Sequence, residues 1–225
     1  MAGVFLGVQL GNWNTARQEQ AAYRDALDRY RAEIVTNLDT LDTVDAESAT
    51  RLEIVGRAFD ALLSCDDSAE ARQLVETGLL GIIGTSGLTL RSSALDELTG
   101  TQTLLSRQPE ALRLRLADTR YYMTAFLREA AYIETIPLEE RMQNNPIVRI
   151  GATHSESGDY MGQDYSRPQR NLELAVPVSE ACTDNMLIKS FYTWERWQLA
   201  IPAVTRVLRT RLQDDLDMLG GPPGG

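Results

Sequence analysis

The sequence predicts an all-α protein: an antiparallel bundle of about four main helices, whose long N-terminal helix continues from a partial membrane segment. Apolar residues recur every three or four positions in several long stretches, which is typical of helices with one buried face. Only residues 172–178 alternate as a strand would, and nothing else in the chain offers them a sheet. At 225 residues, with 43% hydrophobic and 24% charged residues, the chain can bury a sizeable globular core.

The domain organisation follows from the same patterns. Residues 1–14 are predicted to be the C-terminal part of a membrane-anchor helix, and residues 15–219 a single helical-bundle domain. Within that domain, residues 144–178 are predicted to be an irregular loop. The Gly- and Pro-rich residues 220–225 have the composition of a disordered tail.

The opening stretch, residues 2–10, is mostly apolar. A helix of this length covers about 14 Å, roughly half of the hydrocarbon core of a membrane, so the stretch as written is too short to span it. Gly3, Gly7 and Gly11 recur every four residues, which is the small-xxx-small pattern of closely packed membrane helices. We predict a helix-association face at these glycines. The alternative is a short amphipathic helix packed on its own domain.

An aromatic residue then marks a predicted membrane–water interface. Trp13 stands between Asn12 and Asn14, where an amphipathic ring would lie at headgroup level. The segment Gly-Val-Phe-Leu-Gly-Val-Gln-Leu-Gly-Asn-Trp-Asn, followed by Ala16-Arg17 and a helical pattern from Tyr23 to Leu38, resembles an uncharacterised family of small bacterial single-span membrane proteins. The hallmark of that family is an apolar span that ends in an Asn-Trp-Asn box and runs into such a helix.

The resemblance carries several implications. In the family the span begins further upstream, so this chain is similar to a version that lacks the first half of the span. The family implies a helical domain anchored in the bacterial inner membrane and facing the periplasm, and it supplies no known activity. The alternative location is the cytoplasm, as a soluble protein.

The first helices are predicted from two apolar stripes. One steps along the N-terminal helix and packs either on the chain's own helices or on a second copy; its residues are Tyr23, Leu27, Tyr30, Ile34, Leu38 and Leu41. Polar residues 42–48 are predicted to form a turn. The second stripe predicts another helix and comprises Leu52, Ile54, Val55, Ala58, Phe59, Leu62 and Leu63.

Short elements are predicted in the middle of the chain. Ser68 can cap a third helix that runs through Val75, and Ser92 or Ser93 begins a helical turn that stops at Gly100. Residues 101–106 are predicted to form another helical turn. The glycine-rich residues 78–87 lack the lysine and the spacing of a phosphate-binding loop, so they predict a tight helix connection.

A long helix is predicted from Pro109, with a kink or restart at Pro137. The loop after it holds the only histidine, His154. One histidine beside Glu156 and Asp159 is a weak metal signal, so no metal site is predicted. Instead, three side chains are expected to pack the loop onto the bundle: Tyr160, Met161 and Tyr165.

The last helix is predicted to begin after Ser179 or Asp184 and to bend at Pro202. It carries the largest aromatic cluster of the chain, Phe191, Trp194 and Trp197. These rings either supply core packing or line a ligand pocket.

The two cysteines, Cys65 and Cys182, match no metal-binding or redox spacing. They are either two separate buried thiols or one disulfide, which requires an oxidising compartment. A disulfide would tie the second helix to the start of the last one and would stabilise the fold by roughly 4 kcal/mol in the chain-entropy model.

Several function classes are disfavoured. A net charge of -10 argues against nucleic acid as a partner. There is no GxSxG motif, both cysteines lie in acidic surroundings, and the carboxylates occupy solvated helix positions. No catalytic, cofactor-binding or metal residue is therefore predicted, and no enzyme is expected. Two hypotheses remain: a membrane-anchored structural or protein-interaction module, and a small-molecule-sensing bundle with an aromatic pocket.

Overall fold

The protein is mostly helical (72%) and also contains one two-stranded antiparallel sheet. The computed structural model describes residues 2–85, 87–140, 144–160 and 163–221. The elements in chain order are α1 Ala2–Leu63, α2 Ala69–Ile82, α3 Ser93–Gly100, α4 Gln102–Leu105, α5 Glu110–Glu140, β1 Val148–Tyr160, β2 Gln163–Leu174, α6 Val178–Ala181, α7 Asn185–Gln198 and α8 Ile201–Met218. The prediction of a helical protein is confirmed, but the prediction that it is all-α is wrong.

The predicted turn at residues 42–48 is wrong, because α1 is one continuous helix of 62 residues. This stretch contains no Gly or Pro to end a helix. Its polar residues are compatible with helix: the hydroxyl of Thr43 donates to the carbonyl of Asp39 one turn earlier. Val44 and Ser48 are buried and continue the inward-facing stripe. The predicted second helix is therefore the C-terminal part of α1.

Local capping signals located several helix starts correctly. The hydroxyl of Ser68 accepts a hydrogen bond from the backbone N–H of Ala71 at the start of α2. α3 begins at Ser93 and ends at Gly100, as predicted. α5 begins directly after Pro109 and remains helical to Glu140, so it does not restart at position 137.

The glycine-rich connection is shorter than predicted. α2 continues to Ile82, so Gly78 and Gly81 are helical residues. A Cβ at position 78 would lie against the side chains of Ala58 and Phe191. The glycine therefore permits a close approach of helices rather than a turn.

Residues 144–178 are not an irregular loop, since most of them form a long hairpin. β1 and β2 pair from Val148 opposite Leu174 to Tyr160 opposite Gln163, with a bulge between Ile150 and Thr153. Beyond the base, almost no side chain is buried, so the strands lack the alternation of apolar and polar residues that identifies a strand in sequence.

The predicted packing of this segment onto the bundle is not found for Tyr165. Its ring lies over Gly158 of the opposite strand, where an added Cβ would come within 3.2 Å of it. The side chains of Tyr160 and Met161 lie outside the described residues.

Contacts between Cα atoms divide the chain into two compact units. Unit 1 comprises the described residues of Met1–Thr43, Leu88–Glu129 and Val204–Gly225, and unit 2 those of Val44–Gly87 and Ala130–Ala203. The boundaries fall within α1, α5 and α8, so each of these helices contributes residues to both units.

In unit 1, α8 runs antiparallel to α1. Arg31 donates to the carbonyl of Leu219, and eleven residues later on α1 Asp42 pairs with Arg209. The carboxylate of Glu33 accepts from the backbone N–H of Ala94 and so caps α3. The buried apolar side chains of this unit include Tyr23, Tyr30, Ile34, Leu41, Leu95, Leu98, Leu116, Met123, Leu208, Leu212 and Leu216.

In unit 2, α2, α6 and α7 surround the C-terminal part of α1 and the base of the hairpin. Their shared core comprises Val55, Ala58, Leu62, Val75, Leu79, Ile82, Val148, Leu172, Leu174, Val178, Ala181, Leu187, Phe191 and Trp194. α7 starts at Asn185, the later of the two predicted starts, where Asp184 accepts from the backbone N–H of Leu187.

The predicted single last helix is wrong. α7 ends at Gln198 and α8 starts at Ile201, so Pro202 lies in the first turn of a new helix rather than inside a bent one. A first-turn proline removes a donor that would have no intrahelical acceptor, which makes this position favourable.

Candidate interaction surfaces

The N-terminal part of α1 has no buried side chain between Gly11 and Ala22, and the first buried side chain after Gly11 is Tyr23. Trp13 is 63% exposed, and the guanidinium of Arg17, one turn later, lies 5.7 Å from the centre of its ring. This distance allows a cation–π contact. Further along α1, Glu19 pairs with Arg107, in the connection between α4 and α5, at 2.5 Å. The helix therefore presents an aromatic and a cationic group on a segment that supplies no core packing.

The other predicted residues of this segment are placed as follows. Asn12 and Asn14 are exposed, like Trp13 between them. Gly3 and Gly7 belong to α1, but their surroundings lie outside the described side chains. Nothing lies within 4 Å of a Cβ added at Gly11, so this glycine has room for a neighbouring helix. Among the described residues, no helix is both long enough and apolar enough to cross a membrane.

Cys65 and Cys182 form a disulfide, with an S–S distance of 1.99 Å and Cα atoms 5.4 Å apart. Cys65 follows the end of α1 with φ 54°, and its N–H donates to the carbonyl of Leu62. This left-handed conformation is common just beyond a helix C-terminus, although a glycine usually occupies it. The bond thus connects the end of α1 to the residue after α6.

A second link lies beside the disulfide. The carboxylate of Asp67 accepts from the hydroxyl of Ser179 at 2.6 Å and from its backbone N–H at 2.8 Å. These hydrogen bonds favour the charged form and hold the pKa of Asp67 below its usual value. The residues that follow α1 are therefore joined to the region of α6 by a covalent bond and by hydrogen bonds to a charged carboxylate.

The aromatic cluster is split between core and surface. Phe191 is fully buried and stacks on Phe59 with ring centres 5.6 Å apart. Trp194 is 3% exposed, and its indole N–H donates to the carbonyl of Gly84 at 2.8 Å. Trp197 is half-buried and meets Tyr132 edge-on. Phe191 and Trp194 therefore serve as core packing, which favours that interpretation of the cluster over a ligand pocket.

The base of the hairpin is bound by two charged residues of α2. Arg72 donates to the carbonyl of Leu174, and Glu76 accepts from the N–H of the same residue at 3.1 Å. Arg72 and Glu76 also pair with each other at 3.0 Å. The two side chains bind the N–H and C=O groups of Leu174 that point away from β1, as a neighbouring strand would. Sequence reasoning missed this contact because it recognised alternation at residues 172–178 but offered them no sheet.

Beyond its base, the hairpin is a polar ribbon. Glu156 pairs with Arg167 across the strands at 2.7 Å, and the hydroxyls of Ser155 and Ser166 lie 2.8 Å apart. His154 lies opposite Gln169, and His154 Nδ1 and Gln169 Oε1 have no hydrogen-bond partner. Within the described part of the chain, no three acidic, histidine or cysteine side chains are arranged to hold a metal ion.

A buried charged network in unit 1 was also missed. Asp215 is 2% exposed, and its carboxylate accepts from Tyr30 and Thr119, both at 2.7 Å, and from Arg115 at 2.5 Å. Burial, together with the charge and hydrogen bond of Asp215, raises the pKa of Tyr30 far above its usual value. Burial lowers the pKa of Arg115, but hydrogen bonds and charges from Asp215 and Asp214 outweigh this effect and raise it. With all its partners satisfied, the network holds helices together rather than offering a reactive group.

Comparison with protein-family models, curated proteins and solved structures gave no match to this chain.

Proposed function

We propose that this chain is a non-enzymatic, membrane-anchored helical module of the bacterial envelope that acts through protein contacts. Its soluble part lies on the periplasmic side of the inner membrane. Its partners are the membrane, through the N-terminal helix, and a second copy or another membrane protein, through Gly3, Gly7 and Gly11. It uses no cofactor and binds no nucleic acid, in keeping with the net charge of -10.

The observation that carries this proposal is the segment of α1 from Gly11 to Ala22, which contains no buried side chain. A helical segment of about three turns without a buried side chain gains no stability there from its own core. Trp13, exposed on this segment with Arg17 over its ring, suits a membrane–water interface because the ring is amphipathic and the cation is attracted to anionic headgroups.

The disulfide supports the compartment. Bonds such as Cys65–Cys182 persist in oxidising compartments and are rare in the bacterial cytoplasm. The fold is proposed to be an antiparallel bundle of about four main helices, supported within unit 1 by the opposite directions of α8 and α1.

Flotation with vesicles of phosphatidylethanolamine and phosphatidylglycerol tests the membrane contact. The wild-type chain should float with the vesicles, and Trp13→Ser should reduce the floating fraction several-fold. Tyr121→Ser is the matched control, because Tyr121 is 69% exposed and also belongs to unit 1. A wild-type chain that stays at the bottom, or an equal loss for both variants, would contradict the proposal.

Protease access to a C-terminal tag in intact spheroplasts, using the complete gene, tests the compartment. Digestion without lysis is expected for a periplasmic domain. A protected tag in the soluble fraction would instead identify a cytoplasmic protein and exclude the proposed location.

A further inference from the structure

β1 has a backbone edge with no partner strand. The sheet consists of β1 and β2 alone, so within the described residues no third strand pairs with either. An isolated two-stranded ribbon is at best marginally stable in water, and a third strand or a packed face is needed to stabilise it. Only the base of this hairpin contributes to the core of unit 2, through Val148, Leu172 and Leu174.

The outward-facing residues of the hairpin can be assigned from its base. The backbone N–H and C=O of Leu174 bind Glu76 and Arg72, so they point away from β1. Direction alternates along a strand, so residues 172, 170, 168 and 166 of β2 also point outward. Position 168 is a proline, which has no N–H and is tolerated in a sheet only where that side faces away from the neighbouring strand. The contacts of Leu174 and the position of Pro168 thus agree on which residues of β2 face outward.

The two edges therefore differ. Pro168 interrupts the outer edge of β2 and blocks strand addition there. Thr153, Ser155 and Ser157 lie opposite Arg170, Pro168 and Ser166, so they present their N–H and C=O groups on the outer edge of β1. All three are exposed, and β1 contains no proline. The hairpin can therefore accept a strand on one side only.

The side chains of β1 suit a second copy of β1 in antiparallel orientation. Two antiparallel copies of β1 can pair their outward-facing residues with each other in three registers near the centre of the strand. In the first register His154 lies opposite His154 of the other copy, and in the second Glu156 lies opposite Glu156 of the other copy. Both registers place like groups together. The third, centred on Ser155, opposes His154 with Glu156 of the other copy twice. Unlike pairs stabilise a sheet, and like charges directly opposite destabilise it.

We propose that two copies of this chain associate through β1, paired antiparallel about Ser155, to form a four-stranded sheet. In this register Ser155 pairs with its mate and Thr153 with Ser157 of the other copy, and each pair exchanges both of its N–H···O bonds. The imidazole of His154 lies directly opposite Glu156 of the other copy, whose carboxylate also pairs with Arg167 of its own hairpin. Pro168 then lies at both outer edges, so the assembly closes at two copies.

This association does not depend on membrane attachment, so it stands or fails separately from the proposed function. Sedimentation equilibrium of the full chain in vesicle-free buffer tests it. The wild type should be dimeric at tens of micromolar, and Ser155→Pro should raise the dimer dissociation constant by about a hundredfold or more, because it removes the central donor and places a ring at the interface.

Ser166→Pro is the matched control. It places the same ring on the outer edge of β2 and removes the same Ser155–Ser166 hydroxyl contact, yet should leave the dimer intact. A monomeric wild type would overturn the proposal and assign the β1 edge to a different partner or to none. Equal effects of the two prolines would overturn it too.

Cross-linking tests the register. Under mild oxidation Ser155→Cys should form a covalent dimer, since Cα atoms in such a pair are about 5.5 Å apart, within disulfide range. Thr153→Cys alone should not, because its mate lies about 13 Å away along the strand. A mixture of Thr153→Cys and Ser157→Cys chains should cross-link. Cross-linking of Thr153→Cys alone, or failure of Ser155→Cys, would overturn the register.

Discussion

The hydroxyl of Tyr30 donates a 2.7 Å hydrogen bond to Oδ2 of Asp215, joining two buried side chains 185 positions apart in the chain. The same oxygen accepts from Thr119, and the other carboxylate oxygen accepts from Arg115. One aspartate thus links α1, α5 and α8 within unit 1. A buried carboxylate is costly unless such partners surround it.

Asp215→Ala should lower the free energy of unfolding by about 3–5 kcal/mol, because it leaves two buried hydroxyls without their acceptor and removes the buried carboxylate that pairs with Arg115. Urea denaturation measures this change. Asp214→Ala is the control: its side chain is 58% exposed, so the change should stay within about 0.5 kcal/mol. Equal effects at the two positions would contradict a stabilising network at Asp215.

Tyr30 should make stability depend on alkaline pH. Its pKa is raised in the folded protein, so the phenol stays protonated there while the unfolded chain ionises near pH 10. The contribution of this hydroxyl is therefore fully present below about pH 10 and is lost as the pH rises further. Wild type should exceed Tyr30→Phe by about 1 kcal/mol at pH 7. Denaturation at successive pH values should show this difference shrinking above pH 10; a constant difference would refute the assignment.

Removing the disulfide should destabilise the protein by about 2–5 kcal/mol, because the bond closes a long loop in the unfolded chain. The cysteines are 117 positions apart. The measurement is urea unfolding of the Cys65→Ser/Cys182→Ser double variant against the oxidised wild type. As a control, a reducing agent should destabilise the wild type and leave the double variant unchanged. An oxidised wild type no more stable than the double variant would contradict a stabilising role.

Two helical glycines should respond oppositely to alanine. At Gly78 a Cβ would contact Ala58 and come within 2.9 Å of the Phe191 ring, so Gly78→Ala should cost about 1–3 kcal/mol. At Gly56 the nearest atom to an added Cβ is 4.0 Å away, so Gly56→Ala should stabilise by up to about 1 kcal/mol through helix propensity. Thermal unfolding of both variants provides the comparison. Shifts in the same direction would show that Gly78 is not tightly packed.

Local chemistry determined much of the helical structure. The starts of α2 and α7 were predicted because Ser68 and Asp184 each accept a hydrogen bond from a backbone N–H within the first turn. The start of α3 was also predicted, although its serines make no cap and Glu33 of α1 accepts from the N–H of Ala94 instead. The apolar stripe from Tyr23 to Leu41 predicted the buried face of α1 for a similar reason, since side chains three or four positions apart share a helix face. Such signals are readable in sequence because the interacting groups are close along the chain.

Only the tertiary structure decided the rest. The polar hairpin shows no alternation, and its base is held by Arg72 and Glu76, about a hundred positions away. Residues 42–48 continue α1, and the burial of Val44 within this polar stretch depends on packing. Asp215 resembles any helix-surface carboxylate until Tyr30, Thr119 and Arg115 surround it. The sequence by itself therefore determined the features that depend on residues within a turn or two of each other, such as helix starts and the buried face of α1. The hairpin, the length of α1 and the buried charge of Asp215 depended on partners that only folding brings together.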